Sequence, residues 1–113
     1  MEMDEREADC VIGLVKFKRI YKSKTLYNKM YKYKTPFQLR VLWAVFEITS
    51  YPSSSSRESI AILLNISIRS VQIWFQNARQ SRRIGKNNHV ARKDAIFVDI
   101  VTTMLLEIYF KEL

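Results

Sequence analysis

Glycine occurs twice in 113 residues, histidine once and cysteine once, and each scarcity closes off a class of chemistry. Two glycines cannot build a phosphate-cradling loop of the dinucleotide or Walker type, which needs several at fixed spacing. His89 and Cys10 fall short of the three or four clustered ligands of a zinc site, so no metal and no other cofactor is expected. No serine stands in a G-x-S-x-G elbow, and a Cys–His pair would have to be recruited from opposite ends of the chain. A lone cysteine forms no internal disulfide, which fits a reducing compartment. No apolar run reaches the length of a membrane span, because Glu47, Asp99 and Glu107 interrupt the richest stretches. The acidic start (Glu2, Asp4, Glu5, Glu7) has the wrong sign for a secretory or mitochondrial leader. These absences predict one small intracellular, soluble domain with tails or elaborated ends, not an enzyme, with no membrane and no small-molecule substrate.

What is present is positive charge, unevenly placed. The net charge of +8 divides into −4 over residues 1–15, +13 over 16–86 and −1 over 87–113. The central block holds fifteen Lys and Arg against only Glu47 and Glu58. Such self-repulsion calls for a polyanion or for a well-solvated face, and a nucleic-acid backbone is the obvious polyanion because each neutralised phosphate releases counterions. Residues 16–34 concentrate eight of these cations with interleaved aromatics and no acid. Lacking a sustained period, they read as an extended basic arm behind an acidic tail over 1–15, the alternative being a further helix or strand on the core.

Punctuation begins at Thr35. Thr35-Pro36-Phe37-Gln38 sets a capping threonine before a proline at the first helical position, with Gln38 spaced to close a capping box. The helix that follows carries Leu39, Leu42, Trp43 and Phe46 at i, i+3, i+4, i+7 and ends near Ile48, before Tyr51-Pro52. The serines Ser53–Ser56 suit a helix start, and Ser55 with Glu58 has capping-box spacing; this second helix runs to about Leu64, burying Ile60, Ala61 and Leu63 or Leu64. Asn65-Ile66-Ser67 is a three-residue turn, and Ser67 caps a third helix from Ile68 to about Ile84. Helix, tight turn, helix is the pattern of a helix-turn-helix unit.

The third helix is the informative one. Val71, Trp74, Phe75 and Ala78 share one face, and at 100° per residue Arg69, Ile73, Gln76, Asn77 and Gln80 fall on the other. No acid occurs from Ile68 through Ile84. Asn and Gln each offer a donor and an acceptor, which match adenine N6 and N7 in the major groove, and a branched aliphatic such as Ile73 suits the thymine methyl. Arginines at the border reach phosphates and fix register without reading sequence. An outer face of amides, one aliphatic and bordering arginines is therefore the composition a base-reading helix needs.

Val71-Gln72-Ile73-Trp74-Phe75-Gln76-Asn77-Ala78-Arg79 resembles the recognition-helix signature of the homeodomain family. The similarity runs over about residues 27–86 without insertion, with Leu42, Phe46, Tyr51-Pro52, Ile60-Ala61, Leu64, Ile66 and Val71 at the family's core and loop positions. It implies an all-α fold: a three-helix homeodomain with a helix-turn-helix and a basic N-terminal arm. It further implies double-stranded DNA as partner, transcriptional regulation as role and the nucleus as location. By position, Asn77 matches the adenine-binding asparagine, and Ile73, Gln76 and Gln80 match the variable base-contacting positions. Tyr51, Arg57, Arg79 and Arg83 match phosphate contacts, while Trp74 and Phe75 match core. On the arm, Lys29 and Tyr31 stand where minor-groove arginines are usual, with Lys32 or Lys34 as a nearby cation. Lys34 also replaces a common core aromatic, for which Tyr33 is the candidate substitute. The ion pair that often joins the first and third helices is replaced by the apolar Trp43 and Ala78. Ser81 stands at a common basic phosphate contact.

Residues 87–113 follow a polar hinge that begins at Gly85, and they read as an additional C-terminal amphipathic helix with a stripe of Phe97, Ile100, Val101, Met104, Leu105 and Ile108. So apolar a stripe does not stay exposed on a monomer. Docking on a protein partner or a second copy, through residues 95–113, is favoured over folding back, because the three-helix core already looks complete. A second class of function follows from this: an interaction module whose bundle presents that helix and binds DNA only non-specifically. Single-strand binding through the arm aromatics leaves Gln76 and Asn77 without a role.

Overall fold

The computed structural model describes residues 3–22, 33–82 and 96–113 and is helical. Five helices follow in order among the described residues: α1 (Glu5–Lys22), α2 (Pro36–Ile48), α3 (Ser54–Leu64), α4 (Ile68–Arg82) and α5 (Thr102–Glu112). Among the described residues the nearest thing to a sheet is an isolated parallel bridge between Pro52 and Val98.

The three central helices start and stop where local chemistry directs. At α2 the capping box closes as its spacing predicts: Gln38 N–H donates to Thr35 Oγ1 at 3.1 Å, and Thr35 N–H donates to Gln38 Oε1 at 2.8 Å. Gln38 Nε2 also donates to the Leu64 carbonyl at 2.9 Å, tying the start of α2 to the end of α3. The cap of α3 is Ser53 rather than Ser55; its hydroxyl accepts from Ser56 N–H at 3.2 Å. That earlier start follows from Pro52, which ends the extended entry and leaves Ser53 as the first residue able to cap. Asn65 closes α3 in the left-handed region at φ 58°, a conformation asparagine tolerates better than most residues with a Cβ. Ser67 then caps α4, its hydroxyl accepting from Ser70 N–H at 3.0 Å.

Two expectations are overturned. Residues 5–15 are not a tail, and the arm does not begin at 16, because Glu5–Lys22 is one helix. Ala8 and Ile12 are buried in the common core with Val11 and Val15 half-buried beside them, an i, i+3, i+4, i+7 stripe of short side chains. Asp4 and Glu7 form a reciprocal box at its start: Glu7 N–H donates to Asp4 Oδ1 at 2.8 Å and Asp4 N–H to Glu7 Oε1 at 3.2 Å. Second, the C-terminal segment folds back on its own domain, with α5 lying against α1, α2 and α3. Residues 96–101 precede the helix in non-helical form, so the stripe is split. Ile100 and Leu105 are buried together with Leu106, whereas Phe97, Val101 and Met104 stay exposed. The core was therefore not complete with three helices. On α2 the buried residues are Val41, Leu42 and Val45, with Leu39 and Phe46 half-buried and Trp43 exposed. The buried face of α2 is rotated because α5 covers one side of it while α4 covers another.

Tyr33 does not substitute for a core aromatic; it is 82% exposed. Beside Phe37 the aromatic neighbour is Tyr109 of α5, edge-on at 5.2 Å. Arg40 fastens the same C-terminal end of α5, with Nε 3.5 Å from Glu112 Oε1.

The start of α5 has no capping side chain of its own. Glu5 of α1 supplies one from the far end of the chain: its two carboxylate oxygens accept the Thr102 and Thr103 N–H groups at 2.7 and 2.8 Å. Thr102 Oγ1 donates to Asp9 at 2.6 Å. The Thr103 hydroxyl first, then the Thr103 and Thr102 amides, favour the charged carboxylate and hold Glu5 below the ordinary glutamate value of 4.5, against the opposing effect of desolvation. A carboxyl whose folded pKa is lowered stabilises the fold fully above its unfolded value and loses that contribution as pH falls through the folded value. The thermal stability of the wild type is expected to fall with acidification below the ordinary glutamate range. Glu5→Gln should be less stable at neutral pH and show a shallower acid slope; an unchanged slope would deny Glu5 the capping role.

Candidate nucleic-acid interface

Helix α4 presents two faces with different chemistry. Val71, Phe75 and Ala78 are buried. Trp74 is half-buried, its ring 4.9 Å from Trp43 and 5.0 Å from Phe75, both edge-on. Turning those residues inward leaves Arg69, Ile73, Gln76, Asn77 and Gln80 all exposed along one ridge, and Ile73 is 41% exposed despite being aliphatic. The predicted base-contacting residues Ile73, Gln76, Asn77 and Gln80 thus share a single solvent-facing row.

The link between α2 and α4 differs from expectation in an instructive way. Trp43 packs on Trp74 rather than leaving a simple large–small contact with Ala78 to join the helices. Arg82 donates to Glu47 at 2.9 Å, and its guanidinium lies 5.5 Å from the Trp43 ring centre and 5.3 Å from that of Phe46. Glu47 and Arg82 each lie four residues beyond Trp43 and Ala78, so an ion pair joins these helices one turn further along. It is exposed and worth little by itself, about 0–1 kcal/mol. Its aromatic seat adds packing that a bare surface pair lacks.

Three of the residues expected to meet phosphates come together at the α2–α3 loop. The Arg79 guanidinium sits 4.3 Å from the Tyr51 ring centre, and its Nη1 donates to the Ser50 carbonyl at 2.8 Å. Arg57 Nη1 donates to the Pro52 carbonyl at 2.6 Å. Phe97, which the sequence placed on a helical stripe, lies between them: edge-on to Tyr51 at 5.6 Å and 5.4 Å from the Arg57 guanidinium. Sequence reasoning missed this residue, for nothing in its spacing sets it against Tyr51. Arg83 and the arm residues Lys29, Tyr31 and Lys32 lie outside the described residues. No described helix is long and apolar enough to cross a membrane.

A short helix, a left-handed turn at Asn65 and a second helix exposing carboxamides constitute a helix-turn-helix unit. The homeodomain family profile matches residues 28–84, and the chain belongs to that family of DNA-binding transcription regulators. It is similar to Homeobox protein HD-4 of Encephalitozoon cuniculi, 44% identical over 86 residues, covering 76% of this chain and 65% of that protein. Homeobox protein HD-8 of the same organism is 30% identical over 99 residues, covering 84% of this chain and 79% of that protein. Zinc finger homeobox protein 4 of Mus musculus is 40% identical over 60 residues, which are 53% of this chain but 2% of that protein. The chain thus spans a little under two thirds of the length of HD-4. No solved structure matches it.

Proposed function

We propose that the chain binds double-stranded DNA sequence-specifically by laying the Ile73–Gln80 ridge of α4 in the major groove, and that it regulates transcription in the nucleus. The observation that carries this reading is the shared exposure of Ile73, Gln76, Asn77 and Gln80 above a buried row of Val71, Phe75 and Ala78. A rigid helix holds the four side chains in fixed register, so each can address a particular base pair. Asn77 is the adenine reader, Gln76 and Gln80 tune neighbouring positions, and Ile73 meets a thymine methyl. Tyr51, Arg57, Arg79 and Arg83 serve the backbone, and Lys29, Tyr31 and Lys32 serve the adjacent minor groove. The alternative of an interaction module loses its motive, since the helix it was to present contributes Leu105 and Leu106 to the core.

Selection from random duplexes at a fixed salt concentration, followed by titration of Asn77→Ala, tests the assignment. The variant is expected to lose about 1–3 kcal/mol of binding, confined to one base pair, with its melting temperature unchanged because the side chain is exposed. Equal preference of mutant and wild type for the selected base pair would reject the reading.

A further inference from the structure

We propose that residues 97–99 form an intrachain strap that competes with the DNA backbone for the α2–α3 loop, so that the chain restrains its own binding. The inference rests on the DNA reading above, and its content is the direction of the effect: the strap weakens binding.

The strap takes the groups a phosphate would need. Val98 N–H donates to the Tyr51 carbonyl at 2.8 Å, and Ser53 N–H donates to the Val98 carbonyl at 2.8 Å, so the loop's backbone donor at Ser53 is already used. The Ser53 hydroxyl is hydrogen-bonded to the Asp99 carboxylate. Phe97 packs against the two side chains proposed to reach phosphates from this loop, edge-on to Tyr51 and with the Arg57 guanidinium over its ring. Arg57 is held more firmly still. One Nη donates to its own loop at Pro52, and its Nε is buried without a hydrogen-bond partner. A guanidinium grips a phosphate best with two N–H groups in a fork. With Nε covered, Arg57 presents its side-on fork, which pairs Nε with an Nη, only after the neighbouring side chains move.

Charge points the same way. Asp99 lies outside the central basic block, which contains only Glu47 and Glu58 as acids, yet the fold carries its carboxylate to the edge of that block's phosphate-facing loop. A carboxylate there stands in for a phosphate oxygen at the Ser53 hydroxyl and repels an incoming one.

The strap is also built to release. Ile96, Phe97 and Val98 are all exposed, whereas Ile100 next to them is buried and its N–H donates to the buried Ser56 hydroxyl at 2.8 Å. Residues 97–99 can therefore peel away to Ile100 while α5 stays docked, a local opening rather than an unfolding.

The test compares the full chain with Asp99→Asn and with Phe97→Ala on the selected duplex, by fluorescence polarisation at two salt concentrations. Each variant should bind tighter by on the order of fivefold, the scale of one exposed interaction. The Asp99→Asn gain should shrink at high salt and the Phe97→Ala gain should persist. Exchange of the Val98 amide in the wild type should quicken on adding duplex. Selective binding by the wild type with both variants no tighter, or with Val98 better protected in the complex, overturns the strap and leaves the DNA reading intact. A wild type with no duplex preference removes both.

Discussion

Phe75→Ala is expected to cost about 3–5 kcal/mol of stability, the range for deleting a buried aromatic. Phe75 is 1% exposed, stacked on Phe46 at 6.2 Å and edge-on to Trp74 at 5.0 Å, so a truncated side chain leaves a void bounded by rigid rings that cannot collapse into it. A domain of this size holds about 5–15 kcal/mol in total, so the loss takes a large share of it. Melting should fall by roughly 4–8 °C for each kcal/mol lost. DNA binding will suffer, but through the folded fraction. At a temperature where the variant is folded, its preferred site should be that of the wild type. Asn77→Ala, two positions along the same helix, should give the reverse: intact melting and altered preference. A Phe75→Ala chain that melts normally but selects different bases would show that the inner and outer faces of α4 have been assigned the wrong way round.

That inner–outer division was readable from the residues alone, because burying Val71, Phe75 and Ala78 on a helix dictates which side chains must face away. The starts of α2 and α4 were readable too, since Thr35–Gln38 and Ser67 act within one turn of themselves. The cap of α3 slipped by two residues because four consecutive serines offer nearly equivalent hydroxyls, and only Pro52 and the bonds to residues 98–100 single out Ser53. Helix α1 was hidden by its charge: acids in the first turns and cations in the last masked a stripe built from small residues, Ala8 and Val11 among them. The Asp4–Glu7 box at its start was read only as part of an acidic tail.

The strap and the arginine cluster lay beyond sequence reasoning for a different reason. Val98 pairs with Tyr51 and Ser53 through backbone groups, which any residue except proline offers alike, and more than forty positions separate them. No periodicity reports such a contact. Arg79 and Arg57 carry the correct charge for phosphates in the sequence, but their engagement with Ser50 and Pro52 carbonyls depends on where the loop runs. These arginines are therefore also loop staples, and their replacement tests two roles at once, which is why Asn77 is the cleaner probe of recognition.

The apolar surplus on α2 was the overlooked sign that three helices were not the whole core. Besides Leu39, Leu42 and Phe46 it carries Val41 and Val45, more apolar surface than one neighbour can cover. Helix α5 covers the remainder, and Leu105→Ala measures how much that matters. Leu105 is 2% exposed beside Leu106, within the same cluster as Val41, Val45, Ala8 and Ile12. Its truncation should destabilise the chain by about 2–5 kcal/mol. Unfolding should keep a single transition whose midpoint does not move with protein concentration, since the lost contacts lie within one chain. A segment serving instead as a dimer or partner face would behave otherwise: the variant would change self-association and leave the dilute monomer's melting where it was. Chemical denaturation at two concentrations differing a hundredfold separates these outcomes, and a midpoint that shifts with concentration would return α5 to the surface.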